Sequence, residues 1–97
     1  MTMVTAILNP KPGHADALIA ALHEVAEHTR REAGVLAYAI GRREDGSLVV
    51  AEQYIDRDAC DVHFAAPYVS GLLARFPELL DGDPQVEFAE TVSSFVS

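Results

Sequence analysis

The sequence has one cysteine, no tryptophan and only 7 lysines and arginines among its 97 residues. Each shortage excludes something. Cys60 alone cannot form an internal disulfide, so oxidation adds no staple and a reducing compartment suits the chain. Against those 7 basic residues stand 15 Asp and Glu, a formal net charge of −8 that repels phosphate backbones. The basic residues fall in scattered pairs, Arg30-Arg31 and Arg42-Arg43, with no stripe, so nucleic acid is not an expected partner. No apolar run approaches membrane-spanning length and the first residues lack a basic segment. Neither membrane insertion nor export is expected, and the cytoplasm is the expected location. Ninety-seven residues make one domain, 1–97, able to bury a core but without room for a dinucleotide-binding unit.

What is present reads as alternating strands and helices. Residues 2–9 are rich in β-branched and apolar types and stop at Pro10, which predicts a first strand. After Pro12-Gly13, Leu18, Leu22, Val25 and Thr29 recur at spacings of four, three and four, the stripe of an amphipathic helix. Asp16, His23, Glu27, Arg30 and Arg31 form its solvated face, and Gly34 is the expected left-handed cap. Val35–Gly41 and Leu48–Tyr54 flank Glu44-Asp45-Gly46-Ser47, whose Asp-Gly pair favours a hairpin. Asp56 is the expected N-cap of a second helical stretch through Ala66, Pro67 restarts a short helix toward Phe76-Pro77, and Asp81–Pro84 makes a turn. Val86–Phe95 is expected to supply the last strand. The order β-α-β-β-α-β predicts an α+β, ferredoxin-like domain: a four-stranded antiparallel sheet with its helices on one face.

In Val35–Ile40 and again in Leu48–Ala51 both alternating sets of side chains are largely apolar. A sheet with helices on one side should have a polar second face. A second copy of the same sheet is the simplest cover, so a homodimer is expected; small residues such as Ala37 and Ala39 tolerated at an open surface are the alternative.

Four histidines and 15 carboxylates could hold a metal only if their spacing lets them converge. His23 and His28 in His23-Glu24-Val25-Ala26-Glu27-His28 are five residues apart, a rotation of roughly 140° along a helix, so they cannot share an ion. A pair such as Glu24/His28 on a solvated face explains them as well, and no metal or other cofactor is expected. Cys60, without a basic neighbour, reads as a small buried hydrophobe. Glu52 is different: it sits among Val49, Val50, Ala51 and Tyr54 on a strand, sharing a face with Val50 and Tyr54, where a lone carboxylate is costly. His63, between Val62, Phe64 and Ala66, is expected in an apolar setting, with Tyr68 a turn beyond. A buried Glu near a His and phenols can be an acid–base set, or a structural pair that holds the second helix on the sheet.

Several segments, in order, resemble the antibiotic biosynthesis monooxygenase domain: Lys11-Pro12-Gly13, Glu32-Ala33-Gly34-Val35-Leu36-Ala37-Tyr38, Glu52-Gln53-Tyr54, Ala59–His63, Ala66-Pro67-Tyr68-Val69 and Pro77-Glu78-Leu79-Leu80. The resemblance implies a dimeric α+β barrel with a pocket between sheet and helices in each protomer. It also implies oxidation of a small quinol-like, aromatic or polyketide-like substrate by O2 without metal or flavin. On that resemblance His63 is the candidate base, Glu52 its orienter or a hydrogen-bond acceptor, and Tyr38, Tyr54, Tyr68 and Val50 the substrate-binding residues. The chain departs from the family at Ala33 (often Pro), Tyr54 (often Trp) and Tyr68 (often a second His). The last two change the pocket and remove a titrating group. The haem-degrading branch has Trp at the position of His63 and Asn near Ala6, so haem is not an expected substrate. A non-catalytic small-molecule-binding dimer and an isomerase of a small keto compound are the competing readings.

Overall fold

A computed structural model describes all residues 1–97. Its elements are β1 (Thr2–Leu8), α1 (Ala15–Thr29), β2 (Val35–Arg42), β3 (Leu48–Tyr54), α2 (Arg57–Ala65), α3 (Pro67–Leu79) and β4 (Gln85–Glu90). The strands form one antiparallel sheet in the order β2-β3-β1-β4. This is the ferredoxin-like α+β arrangement expected, with the second helical segment divided at Pro67. A proline tolerated at a first helical position cannot extend the turn before it.

The register sorts side chains by face. Val4, Ala6 and Leu8 of β1 stand opposite Glu52, Val50 and Leu48 of β3, and Tyr38 and Ile40 of β2 stand opposite Glu52 and Val50. Alternate residues share a face, so these form the inner surface that meets the helices. Leu18, Ala21, Leu22 and Val25 of α1 and Val69, Leu72 and Leu79 of α3 complete a continuous core with Leu8, Leu48 and Val50. Ala37, Ala39 and Ala51 on the other face are exposed, together with Met3 near the start of β1. Every residue of β4 is exposed as well, and the helices cover that edge of the sheet only in part, through Phe64 and Arg57 of α2 against Phe88. No helix is long and apolar enough to cross a membrane.

Three expectations need correction. The last strand ends at Glu90 rather than Phe95, because its partner β1 begins at Thr2, opposite Glu90, and only the Thr91 N–H to Met1 carbonyl bond continues the ladder. Val92 and Phe95 have strand-forming side chains but no strand to pair with, and stand exposed. Helix α1 ends at Thr29, five residues before Gly34, and Gly34 is not in the left-handed region. Gly34 instead allows close packing: a Cβ there would lie 2.4 Å from the Ala59 Cβ of α2. Finally, α3 is a 13-residue helix rather than a short one, and Pro77 sits inside its last turn.

Candidate active site

Four elements deliver the polar groups to one place. Alternation along β3 turns Glu52 and Tyr54 inward with Val50. Asp56 caps α2 by accepting a bond from the Ala59 N–H at 2.8 Å, as expected, and α2 then brings His63 over the sheet. Glu32 comes from the turn after α1 and Tyr68 from the first turn of α3. His63 lies between two carboxylates. Its Nδ1 is 2.9 Å from Glu32 Oε2, while Nε2 faces Glu52 Oε1 at 3.7 Å, beyond hydrogen-bond reach. The Tyr54 hydroxyl donates to Glu52, and the Tyr68 hydroxyl donates to Glu32. Rings of Tyr54, Phe64 and Tyr38 surround the imidazole at centroid distances of 5.5, 5.1 and 6.2 Å.

Glu52 and His63 open onto a cavity of about 70 Å³ between sheet and helices. Val4, Ala6, Val50, Tyr38, Phe64 and other apolar side chains line the rest of it. Leu73, Phe76, Pro84 and Val86 form its wall toward the exposed β4 strand, and Leu73 and Val86 are themselves exposed. The cavity is thus a mostly apolar space with an imidazole and a carboxyl at one end.

Burial controls the protonation of these groups. Desolvation pushes the Glu52 carboxyl above its usual range, an effect that the Tyr54 hydroxyl and His63 partly offset. Burial and the neighbouring Glu52 push the Tyr38 and Tyr54 hydroxyls far up, and burial with the bond to Glu32 raises Tyr68 to about 12. All three phenols therefore keep their protons at neutral pH and act as donors. The proton acceptors of the site are the imidazole and the carboxylates.

A stability prediction follows from Glu52. A carboxyl whose folded pKa exceeds its unfolded value binds its proton more tightly when folded. Its ionisation therefore costs stability as pH rises from near the ordinary 4.5 through the raised folded value. Glu52→Gln keeps an acceptor for Tyr54 and removes that ionisation. Relative to the parent, the variant is expected to gain on the order of 1 kcal/mol at pH 7, with the gap closing by pH 4. Urea titrations at both pH values check this, and a gap that does not widen with pH would sink it.

The sequence-predicted residues separate into two groups. His63, Glu52, Tyr38 and Val50 share the cavity. Tyr54 and Tyr68 do not line it: Tyr54 is fully buried with its hydroxyl committed to Glu52, and Tyr68 lies on the helix side, bonded to Glu32. Each phenol instead donates to one of the two carboxylates. Val62, expected to shelter His63, is exposed, and the apolar cover comes from Phe64 and the sheet. His28 stacks on Tyr68 with centroids 4.8 Å apart instead of pairing with Glu24. No three His, Cys, Asp or Glu side chains stand together in an arrangement suited to a metal ion. Cys60 is fully buried, and desolvation raises its thiol. Glu32 escaped the sequence reading of the site because it sits in a turn, where no periodicity marks it. Its one signal was its place in the segment Glu32–Tyr38.

Comparisons with known proteins bear on the family and the fold. The model of the family described as antibiotic biosynthesis monooxygenase matches residues 1–75. Among solved structures, Rv0793 of Mycobacterium tuberculosis superposes with a TM-score of 0.91 at 31% identity, covering 96% of each chain. A protein described as an antibiotic biosynthesis monooxygenase superposes at 0.86 with 28% identity, covering 96% of this chain and all of the other. SO0527 of Shewanella oneidensis does so at 0.86 with 31% identity over 91% of this chain and 87% of its own. The uncharacterized protein sll1783 of Synechocystis is 30% identical over 80 residues, 80% of this chain. The chain spans about half, 54%, of the length of that relative.

Proposed function

The chain belongs to the antibiotic biosynthesis monooxygenase family, and on that premise we propose that it is a cofactor-independent monooxygenase acting on a small, largely apolar aromatic or quinol-like molecule. The observation that carries the reading is the apolar cavity whose polar end is His63 Nε2 beside Glu52. An acidic O–H or C–H of the substrate, placed there, loses its proton to His63. The resulting anion is electron-rich enough to reduce O2 itself. In the balanced reaction one oxygen atom enters the substrate and the other leaves as water with two substrate hydrogens, as when a ring CH2 becomes C=O. The protein's part is to bind, to move a proton and to keep bulk water out.

Size and charge narrow the substrate. A cavity of about 70 Å³ is about half the roughly 150 Å³ that admits benzene, so a ring enters only if lining side chains such as Leu73 and Phe76 of α3 move aside. Two carboxylates flank the one imidazole, in a chain of net charge −8. Anionic substrates such as phosphorylated ketones are repelled, which favours oxidation of a neutral molecule over isomerisation of a phosphorylated one. The test is oxygen uptake by the pure protein with a panel of hydroquinones and anthrones in chelator-treated buffer. Product formed without oxygen would identify an isomerase instead, and ligand-induced stabilisation without product would identify a binding protein.

The same reading includes a homodimer, supported by the exposed Ala37, Ala39 and Ala51 on the sheet face that no helix covers. Sedimentation is expected to give twice the 10.5 kDa chain mass. A monomer at micromolar concentration would overturn this part.

A further inference from the structure

We propose that Glu32 is the proton outlet of the site, a relay residue that passes protons between His63 Nδ1 and solvent; this rests on the acid–base reading of His63 above. The two nitrogens of His63 have separate surroundings. Nε2 faces Glu52 and the apolar cavity, while Nδ1 is bonded to Glu32 Oε2 at 2.9 Å. The imidazole is sealed, with a side chain only 3% exposed, whereas the Glu32 side chain is 16% exposed. A proton received on Nε2 therefore has a short route to water across the ring and through Glu32. The Tyr68 hydroxyl donates to the same Oε2 and is backed by the exposed His28, so the carboxylate is held with one oxygen against the ring. The groups that face the imidazole are Glu52 and Tyr54 from β3, Tyr38 from β2, Tyr68 from α3 and Glu32 itself. Of these, only Glu32 combines an ionisable acceptor, a direct bond to the ring and access to water.

The step conserves protons. As substrate gives its proton to Nε2, an N–H bond forms there, the Nδ1–H bond breaks, and that proton passes to Glu32 and then to water. The ring stays neutral and changes tautomer. When the reduced oxygen leaves as water it takes the proton on Nε2, and Nδ1 is reloaded from solvent through Glu32. The net proton count over the cycle is zero.

The test does not need a substrate. Nitrogen-15 spectra of the His63 ring report exchange of its Nδ1 proton with water in the parent and in Glu32→Gln, which keeps an acceptor oxygen but cannot carry a proton. Exchange is expected to slow about tenfold or more with the tautomer unchanged; equal rates would overturn the proposal. Glu32→Ala with added formate is the second arm. Slow exchange restored in proportion to formate supports the relay, and exchange indifferent to formate counts against it. With a turned-over quinol, Glu32→Gln should lower kcat with KM unchanged. Absence of turnover in the parent protein would remove the monooxygenase reading while the exchange result stood by itself.

Discussion

Oxygen uptake by the His63→Ala variant is expected to fall by about a hundredfold or more, the range that a positioned general base supplies. The imidazole is the candidate base on the cavity, since the three phenols hold their protons and burial pushes the Glu52 carboxyl above its usual range. Glu32 lies on the far side of the ring from the cavity, bonded to Nδ1. The variant also leaves two carboxylates without the ring between them, so a loss of about 1–3 kcal/mol in stability is expected beside the loss of activity. His63→Gln, which fills most of the space, separates the two effects: it should recover stability but not turnover. Wild-type rates in His63→Ala, measured on protein with an unchanged circular dichroism spectrum, would remove His63 from the mechanism.

The second large effect is at a residue with no polar atom in its side chain. Gly34→Ala places a methyl 2.4 Å from the Ala59 Cβ. A Cβ is fixed to its backbone and cannot swing aside, so α2 must move or the turn must open. Overpacking of this kind typically costs about 1–3 kcal/mol, and this contact is at the upper end. The damage also reaches the site, because the Ile55 N–H to Gly34 carbonyl bond of 2.9 Å ties this turn to the segment that leads into α2. Pushing α2 outward lengthens the bond between His63 and Glu32. The double variant Gly34→Ala/Ala59→Gly removes the opposing methyl and should regain much of the stability, beyond what adding the single effects would give. Additive losses in that cycle would show that the contact is not the cause.

The sheet face and the core stripe were legible in the residues. Alternation put Val50, Glu52 and Tyr54 on one face of β3, and the spacing of Leu18, Leu22, Val25 and Thr29 marked the packed side of α1, because both patterns arise from the repeat of a single element. Gly46 at the hairpin adopts φ 89°, the left-handed conformation that the Asp-Gly pair anticipates. Gly34 looked like the same kind of signal and was not. Its reason for being glycine is a neighbour 25 positions later in the chain, which no local rule contains.

The order of elements, the single-domain size and the presence of a buried Glu and His on facing elements were determined by the sequence alone, since each follows from composition or from a period of two or 3.6 residues. Only the tertiary structure decided which groups meet. It placed Glu32, 31 residues away, on the imidazole, and gave Tyr54 and Tyr68 to the two carboxylates instead of to the cavity. The physical reason is that hydrogen bonds and packing between distant segments depend on the path of the chain. That path is fixed here by a glycine that lets α2 approach the turn carrying Glu32.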